Sequence, residues 1–556
     1  MKFNLLIGGK AGQGMDTVCV FLEKVLKKSG FYVFSNKDYM SRVRGGHNFT
    51  QIRFGDEPIY SHIEKLDLIL ALDRETIEIH SDKLNDKGII IADGAIKYED
   101  SRLISLPLQK VAKDVGLPMA FTFVAAGSIL KHFGIKGQFE DFISKKLPEA
   151  TRNKNIESLK KGEELLEEKF ALTGKDLSKH LIINGNDAIG LGALVGGLSF
   201  YSAYPMTPAT SVMTYLSKKS VETGIVVEQA EDEISAINMA IGASYAGARS
   251  MTGSSGGGVA LMVEAFGLAG ITETPLVVID SQRPGPATGF PTRTEQSDLS
   301  FLLTAAQGEF PRIVLSVRNA EDAFYQTFRA LNIADKYQTL VVLLTDQYLA
   351  DSNITIPKFS LEELKIERHI WDGKGLDEEY KRYKVTESGI SPRLIPGKIE
   401  GQVVLVDSDE HTEYAHITEE IEVRNDQMEK RMRKLDLFIK EDQQEPEYFG
   451  EEDIDILLVG WGSTYGAIRE ATEILSSLGL KVGALSFGDI CPLPDKLLRK
   501  YKAIAKKVIN IEQNFTGQLG KFITQETGFL MNDSILKYDG RQITSNEIVT
   551  RLYKEV

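Results

Sequence analysis

The sequence predicts a multidomain α/β protein, and three observations carry that expectation. Short apolar runs of strand length alternate with longer amphipathic or small-residue runs of helix length, the pattern of sheets covered by helices. Several strand-like runs end in loops rich in Gly, Pro, Thr and Ser, where open parallel sheets bind ligands. A chain of 556 residues is too long for one core, so about three or four domains are expected.

The totals bound the function. Asp and Glu number 79 against 65 Lys and Arg, which disfavours nucleic acid as a partner because such partners select a basic surface. Two cysteines, Cys19 and Cys491, cannot build a disulfide framework or hold an iron–sulfur cluster, which normally needs about four thiolates. Both have mainly apolar neighbours and are expected in the core. The start MKFNLLIGGKAGQG breaks into glycines too early for a signal peptide. No uncharged apolar run approaches the ~20 residues of a membrane span. A soluble, cytoplasmic protein is expected.

Residues 1–172 read as one α/β domain. Lys2 to Ile7 is a strand, GGKAGQG (Gly8 to Gly14) a loop, and Met15 to Ser29 a helix. In that arrangement backbone N–H groups at a helix N-terminus can face an anion. The glycines follow G-x-x-G-x-G through Gly9, Gly12 and Gly14, not the dinucleotide order. SRVRGGHN (Ser41 to Asn48) is a basic loop whose Arg42, Arg44 and His47 either bind a phosphate or are simply solvated.

A charged stretch leads to a fresh start at Ile182 and a second domain over 182–352. Its centre is YPMTPAT, Tyr204 to Thr210, after a strand-like run from Gly197 to Tyr201. Pro205 and Pro208 fix their own φ and keep the preceding residues out of the α region. Thr207 is thereby held at a strand end, where its hydroxyl can donate to a carboxylate. VVEQAEDE follows, with Glu228, Glu231, Asp232 and Glu233 at the mouth of a nearly uncharged helix. Acids there are favoured by the helix dipole, but a desolvated one would suit a functional carboxylate. GSSGGG (Gly253 to Gly258) ends another strand, and SQRPGPATGFPTRTEQSDL (Ser281 to Leu299) a further one. Loops of that length in compact domains are usually functional.

Residues 353–451 are charged and irregular and read as an extended linker with a charged helix near Thr418 to Lys440; residues 452–556 read as a C-terminal α/β domain. Two other chemistries compete. Gly253 to Gly257 satisfies G-x-S-x-G, the nucleophile elbow of hydrolases, but the later histidines His369, His411 and His416 fall in or beside the linker. His411 and His416 also lack the spacing of a helical zinc motif.

In combination and order, several motifs resemble the α subunit of 2-oxoacid:ferredoxin oxidoreductases with the γ domain fused at the N-terminus. They are GGKAGQG, SRVRGGHN, YPMTPAT, EDEISAINMAIGASYAGARSMTGSSGGG, GFPTRTEQSDL, ESGISPRLIPG, SDEHTE and EQNFTGQLGKF. The resemblance implies a γ-type α/β domain, a pyrimidine-binding domain of the thiamine-pyrophosphate fold, and a C-terminal domain like that of transketolase. It implies thiamine pyrophosphate with Mg2+ bound between α and β subunits, with the diphosphate site and a [4Fe–4S] cluster on the β subunit. This chain lacks the GDG-type diphosphate motif, so it is expected to be inactive alone.

By that resemblance Glu233 engages the aminopyrimidine, with Glu228 and Glu231 close enough to compete. Thr207 is the substrate threonine. Arg283, then Arg293, is the arginine for the 2-oxoacid carboxylate, since a planar guanidinium pairs bidentately with it. Pro205, Ser254, Ser255 and Gly256 lie against the cofactor, and Gly9, Gly12, Gly14 and Arg44 are a further coenzyme A or phosphate site. The implied reaction is oxidative decarboxylation of a 2-oxoacid, 2-oxoglutarate or a broad range, with coenzyme A and ferredoxin, in an αβ or (αβ)2 assembly. An indolepyruvate-type or other thiamine enzyme, and a non-catalytic nucleotide-binding scaffold, stay open as alternatives.

Overall fold

The computed structural model describes residues 1–41, 46–376 and 379–553. The chain forms two compact units, one of Met1–Asn184, Asp351–Phe359 and Thr544–Asn546, the other of Gly185–Ala350, Ser360–Ile543 and Glu547–Val556.

The first unit is built on a mixed eight-stranded sheet. Strand Lys2–Lys10 lies within it, parallel to Leu66–Ala71 on one side and antiparallel to His47–Gly55 on the other. Successive side chains of a strand face opposite ways, and Leu5 and Ile7 accordingly join one apolar core while Leu6 joins another. SRVRGGHN, expected as a loop, ends in a strand, since His47 and Asn48 begin His47–Gly55; Arg42 and Arg44 lie outside the described residues. Ile182, expected to open the second domain, instead lies in strand His180–Asn184. That strand pairs antiparallel with Asn353–Pro357, which also pairs with Tyr32–Asp38. The chain therefore leaves the first sheet after Asn184 and returns to it at Asn353.

The second unit holds two further sheets. The larger runs in the order Asp489–Cys491, Arg312–Ser316, Leu340–Asp346, Leu276–Gln282, Ser250–Ser254, Phe200–Ala203, Val226–Gln229. Its strands are parallel except the first. Leu276–Gln282 and Leu340–Asp346 are buried along their whole length, as befits a parallel sheet covered on both faces. The five-stranded sheet is centred on Ile456–Trp461, between Val482–Phe487 and Lys507–Glu512. Val278, Val342, Leu457, Leu485 and Phe487 share one core, and Asp489–Cys491 extends the larger sheet.

From Ser360 onward the stretch expected as a linker packs within this second unit. Helix Ile421–Glu441 buries Lys430 and Lys434 to within 1 % of full burial. Both amines pair with Glu273 at 2.6 Å. Burial pushes the Glu273 carboxyl up, but Lys430, Lys434 and Arg382 together hold it well below the usual carboxylate range. Nearby, Asp335 gathers Arg249, Arg368 and Arg393 at 2.7–2.9 Å. Charges that look solvated in the sequence are paired inside, because a buried charge without a partner is costly.

Candidate active site

The sheet order fixes where a ligand can sit. After Phe200–Ala203 the chain goes to Val226–Gln229 on one side and then crosses to Ser250–Ser254 on the other. At such a switch point the loops after neighbouring strands part and leave a crevice at the carboxyl ends. The YPMTPAT turn, the acidic helix mouth, the GSSGGG turn and the arginine loop all begin at these ends.

Asp232 caps the helix Glu233–Tyr245 by accepting from the Ser235 N–H at 2.7 Å, a favoured cap for the unpaired donors of the first turn. This sets the register of the acids. Glu228, Glu231 and Asp232 are exposed, whereas Glu233 turns inward and keeps 4 % of its surface. Its Oε1 lies 3.5 Å from Ser254 Oγ, which is also 3.5 Å from Met206 Sδ of the YPMTPAT turn. A methyl group at Gly258 would overlap both Glu233 Oε1 and Ser254 Oγ, so a bare backbone is what leaves room for the carboxylate.

Thr207 and Arg283, the residues expected on the substrate side, meet at the neighbouring strand ends. Arg283, half-buried just after Leu276–Gln282, donates from Nη1 to the Thr207 carbonyl at 2.8 Å. The turn is held from behind by Asn186, whose Nδ2 donates to Pro208 O at 2.9 Å and Ser211 Oγ at 2.7 Å. Arg293, by contrast, carries its stem against Gly540 of the C-terminal domain. The structure thus brings Thr207 and Arg283 together, and Glu233 with Ser254. Pro205 lies partly exposed beside them in the turn. Ser255 is buried with an unpartnered hydroxyl, and among the described residues no base bonds to it as a hydrolase elbow would need. Among the described residues no group of three or more metal-ligating side chains occurs. His411 stacks on Tyr383 at 3.8 Å.

An acidic cluster behind the arginine escaped the sequence reading. Asp280, two residues before the end of its strand, is fully buried with both carboxylate oxygens unpartnered. Asp298 lies over Gly256, where a methyl group would overlap its carboxylate. Burial, partly offset by Arg283, pushes Asp298 up to about 6. Burial and then Asp298 push Glu295 up to about 7 and Asp280 well above the usual range. A carboxyl raised in the folded state stabilises most below its unfolded value near 4, and loses that contribution as pH rises through the folded value. Between about pH 5 and 7.5 the urea midpoint of Glu295→Gln is therefore expected to rise relative to that of the unsubstituted chain, because the variant no longer has to ionise a buried carboxyl. No such relative rise would contradict the assignment.

In the first unit, Gly12 and Gly14 take φ of 90° and 84°, with Gly14 at the start of helix Met15–Lys28. Gln13 folds back over the turn, accepting from the Lys10 N–H at 2.7 Å, and fills the space beside Gly9.

Comparison with known proteins identifies the family. Residues 191–430 match the family described as pyruvate flavodoxin/ferredoxin oxidoreductase, thiamine diphosphate-binding. Residues 4–165 match pyruvate ferredoxin/flavodoxin oxidoreductase, and 454–548 match core domain II of pyruvate:ferredoxin oxidoreductase. The α subunit of a Sulfolobus 2-oxoacid:ferredoxin oxidoreductase is 32 % identical over 621 aligned positions, covering 100 % of this chain and 97 % of that one. The chain belongs to the 2-oxoacid:ferredoxin oxidoreductase α subunits. It is thus an oxidoreductase subunit whose central region is a thiamine-binding domain.

Within that family, the 2-oxoglutarate synthase subunit KorA of Archaeoglobus fulgidus is 32 % identical, over 61 % of this chain and 89 % of that one. The solved 2-oxoglutarate:ferredoxin oxidoreductase of Magnetococcus marinus, with 2-oxoglutarate, coenzyme A and succinyl-CoA bound, superposes with a TM-score of 0.93. It is 34 % identical and covers 100 % of this chain and 99 % of that one. The α-subunit names imply a β partner. Among the described residues no helix is long and apolar enough to cross a membrane.

Proposed function

We propose that this chain forms, with a β subunit, a cytoplasmic thiamine-pyrophosphate-dependent enzyme that oxidatively decarboxylates a 2-oxoacid. Coenzyme A takes the acyl group and ferredoxin the electrons; 2-oxoglutarate is a leading substrate, as the relatives' names suggest. The observation that carries the reading is one inward-turned carboxylate, Glu233, in a cradle of Ser254 and Gly258, beside a turn whose Thr207 is met by Arg283.

The cradle fits the pyrimidine half of the cofactor. Glu233 would hydrogen-bond a ring nitrogen of the aminopyrimidine, and backbone at Pro205, Ser254, Ser255 and Gly256 would pack against it. When bound, thiamine pyrophosphate supplies the nucleophilic carbon and electron sink that decarboxylation needs. Thr207 Oγ1 and the Arg283 fork would take the substrate carboxylate and fix its orientation. The Mg-diphosphate site and [4Fe–4S] cluster are assigned to the β subunit, in an αβ or (αβ)2 assembly. Coenzyme A is assigned to the Gly9, Gly12 and Gly14 turn with Arg44.

Co-expression with a β subunit should yield 2-oxoacid-dependent reduction of a viologen dye. No reduction with any 2-oxoacid by an intact complex loaded with thiamine and cluster would sink the proposal. Thr207→Ala should raise the KM for the 2-oxoacid by roughly tenfold or more, the loss of one hydrogen bond to a charged group. Its thiamine content should be unchanged.

A further inference from the structure

The loop from Arg283 to Asp298 is fastened at more than its ends. At its base Arg283 reaches Thr207, and the Asp298 N–H donates to Gln282 Oε1 at 3.1 Å. Between them Gln296, fully buried, engages the C-terminal domain with backbone and side chain together. Its N–H donates to Gln513 O at 2.7 Å and its Oε1 accepts from the Gln513 N–H at 3.0 Å. Its carbonyl accepts from Asn514 Nδ2 at 3.0 Å, and its Nε2 donates to Trp461 O at 2.8 Å. Gln518 adds two bonds, from Nε2 to Ser297 O and from the Ser300 N–H to its Oε1, both 2.8 Å.

The receiving turn is itself rigid. The buried Glu512 carboxylate accepts from Trp461 Nε1, Asn510 Nδ2, Asn514 Nδ2 and the N–H groups of Leu519 and Gly520, at 2.7–3.1 Å. Asn514 Oδ1 takes the N–H groups of Gly517 and Gln518. The opening donors of helix Gln518–Thr527 are therefore already engaged and leave little for a phosphate, which binds at helix N-termini through such free N–H groups.

We propose that the turn from Glu512 to Gln518 is a clamp that positions the arginine loop, and that Gln296 is a positioning residue for 2-oxoacid binding. This rests on the reading that Arg283 binds the substrate carboxylate. It gives the EQNFTGQLGKF motif a task within the active site.

The test uses the chain co-purified with its β subunit. Gln518→Ala removes one bond to the loop, at Ser297, and one to Ser300 just after it, at a partly exposed position, and Gln296→Met keeps side-chain size while removing both side-chain bonds. Each should raise the KM for the 2-oxoacid on the order of tenfold, with thiamine content and the KM for coenzyme A unchanged. Each should also speed amide exchange in residues 284–298. Unchanged exchange in Gln518→Ala would overturn the clamp. Faster exchange with an unchanged KM would overturn the substrate role of the loop, and with it the positioning assignment. A raised KM for coenzyme A alone would overturn the proposal by making the turn part of the coenzyme site.

Discussion

Glu233→Gln is expected to lower 2-oxoacid-dependent dye reduction by the αβ complex about a hundred- to ten-thousandfold, the usual range for a group that manages a proton. Glutamine keeps the size of the side chain, so the Ser254 and Gly258 cradle should persist and the fold should be undisturbed. The measurement is steady-state reduction at saturating substrate, alongside thiamine content. Glu228→Gln and Glu231→Gln, at exposed positions on the same acidic run, are the controls. If either control lost as much activity as Glu233→Gln, the assignment of the buried acid would be wrong.

Arg283→Ala should act on a different parameter. Loss of a charge-assisted contact to the substrate carboxylate costs about 1.5–3 kcal/mol, or about 10- to 150-fold in affinity. That loss should appear mainly in the KM for the 2-oxoacid. Arg283→Lys should recover part of it, because an ammonium keeps the charge but not the bidentate fork. Arg293→Ala should leave the KM within about twofold, since its stem packs against Gly540 and not against the Thr207 turn. The reverse ranking of the two arginines in substrate titrations would reassign the site.

The parallel strands were legible because their apolar runs are continuous and their ends carry unusual loops. Glu233 could be separated from Glu228 and Glu231 by motif matching but not by composition. What distinguishes it physically is the Asp232 cap, which turns it inward at the first helical position. Strand His47–Gly55 was missed because it buries Asn48, Thr50, Gln51 and Arg53, and such residues read as loop. Their partners arrive from elsewhere, as when Gln51 Nε2 donates to Ile63 O at 3.0 Å. Helix Ile421–Glu441 read as part of an extended linker for the same reason, its lysines being satisfied by Glu273. Asn186 and Gln296 left no signal, since their bonds span 22 to 218 residues of sequence.

The Glu273 ion pairs bear on how this chain can be divided. The residues assigned to thiamine and 2-oxoacid binding all fall between Pro205 and Gln296, which invites excision of a minimal fragment ending near Asp351. Such a fragment would keep Glu273 but lose Lys430 and Lys434, and removing one side of a buried pair typically costs about 3–5 kcal/mol. It would also lose Asp489–Cys491 from the sheet. Recombination between relatives should therefore succeed only when the two segments travel together, as one inheritable piece.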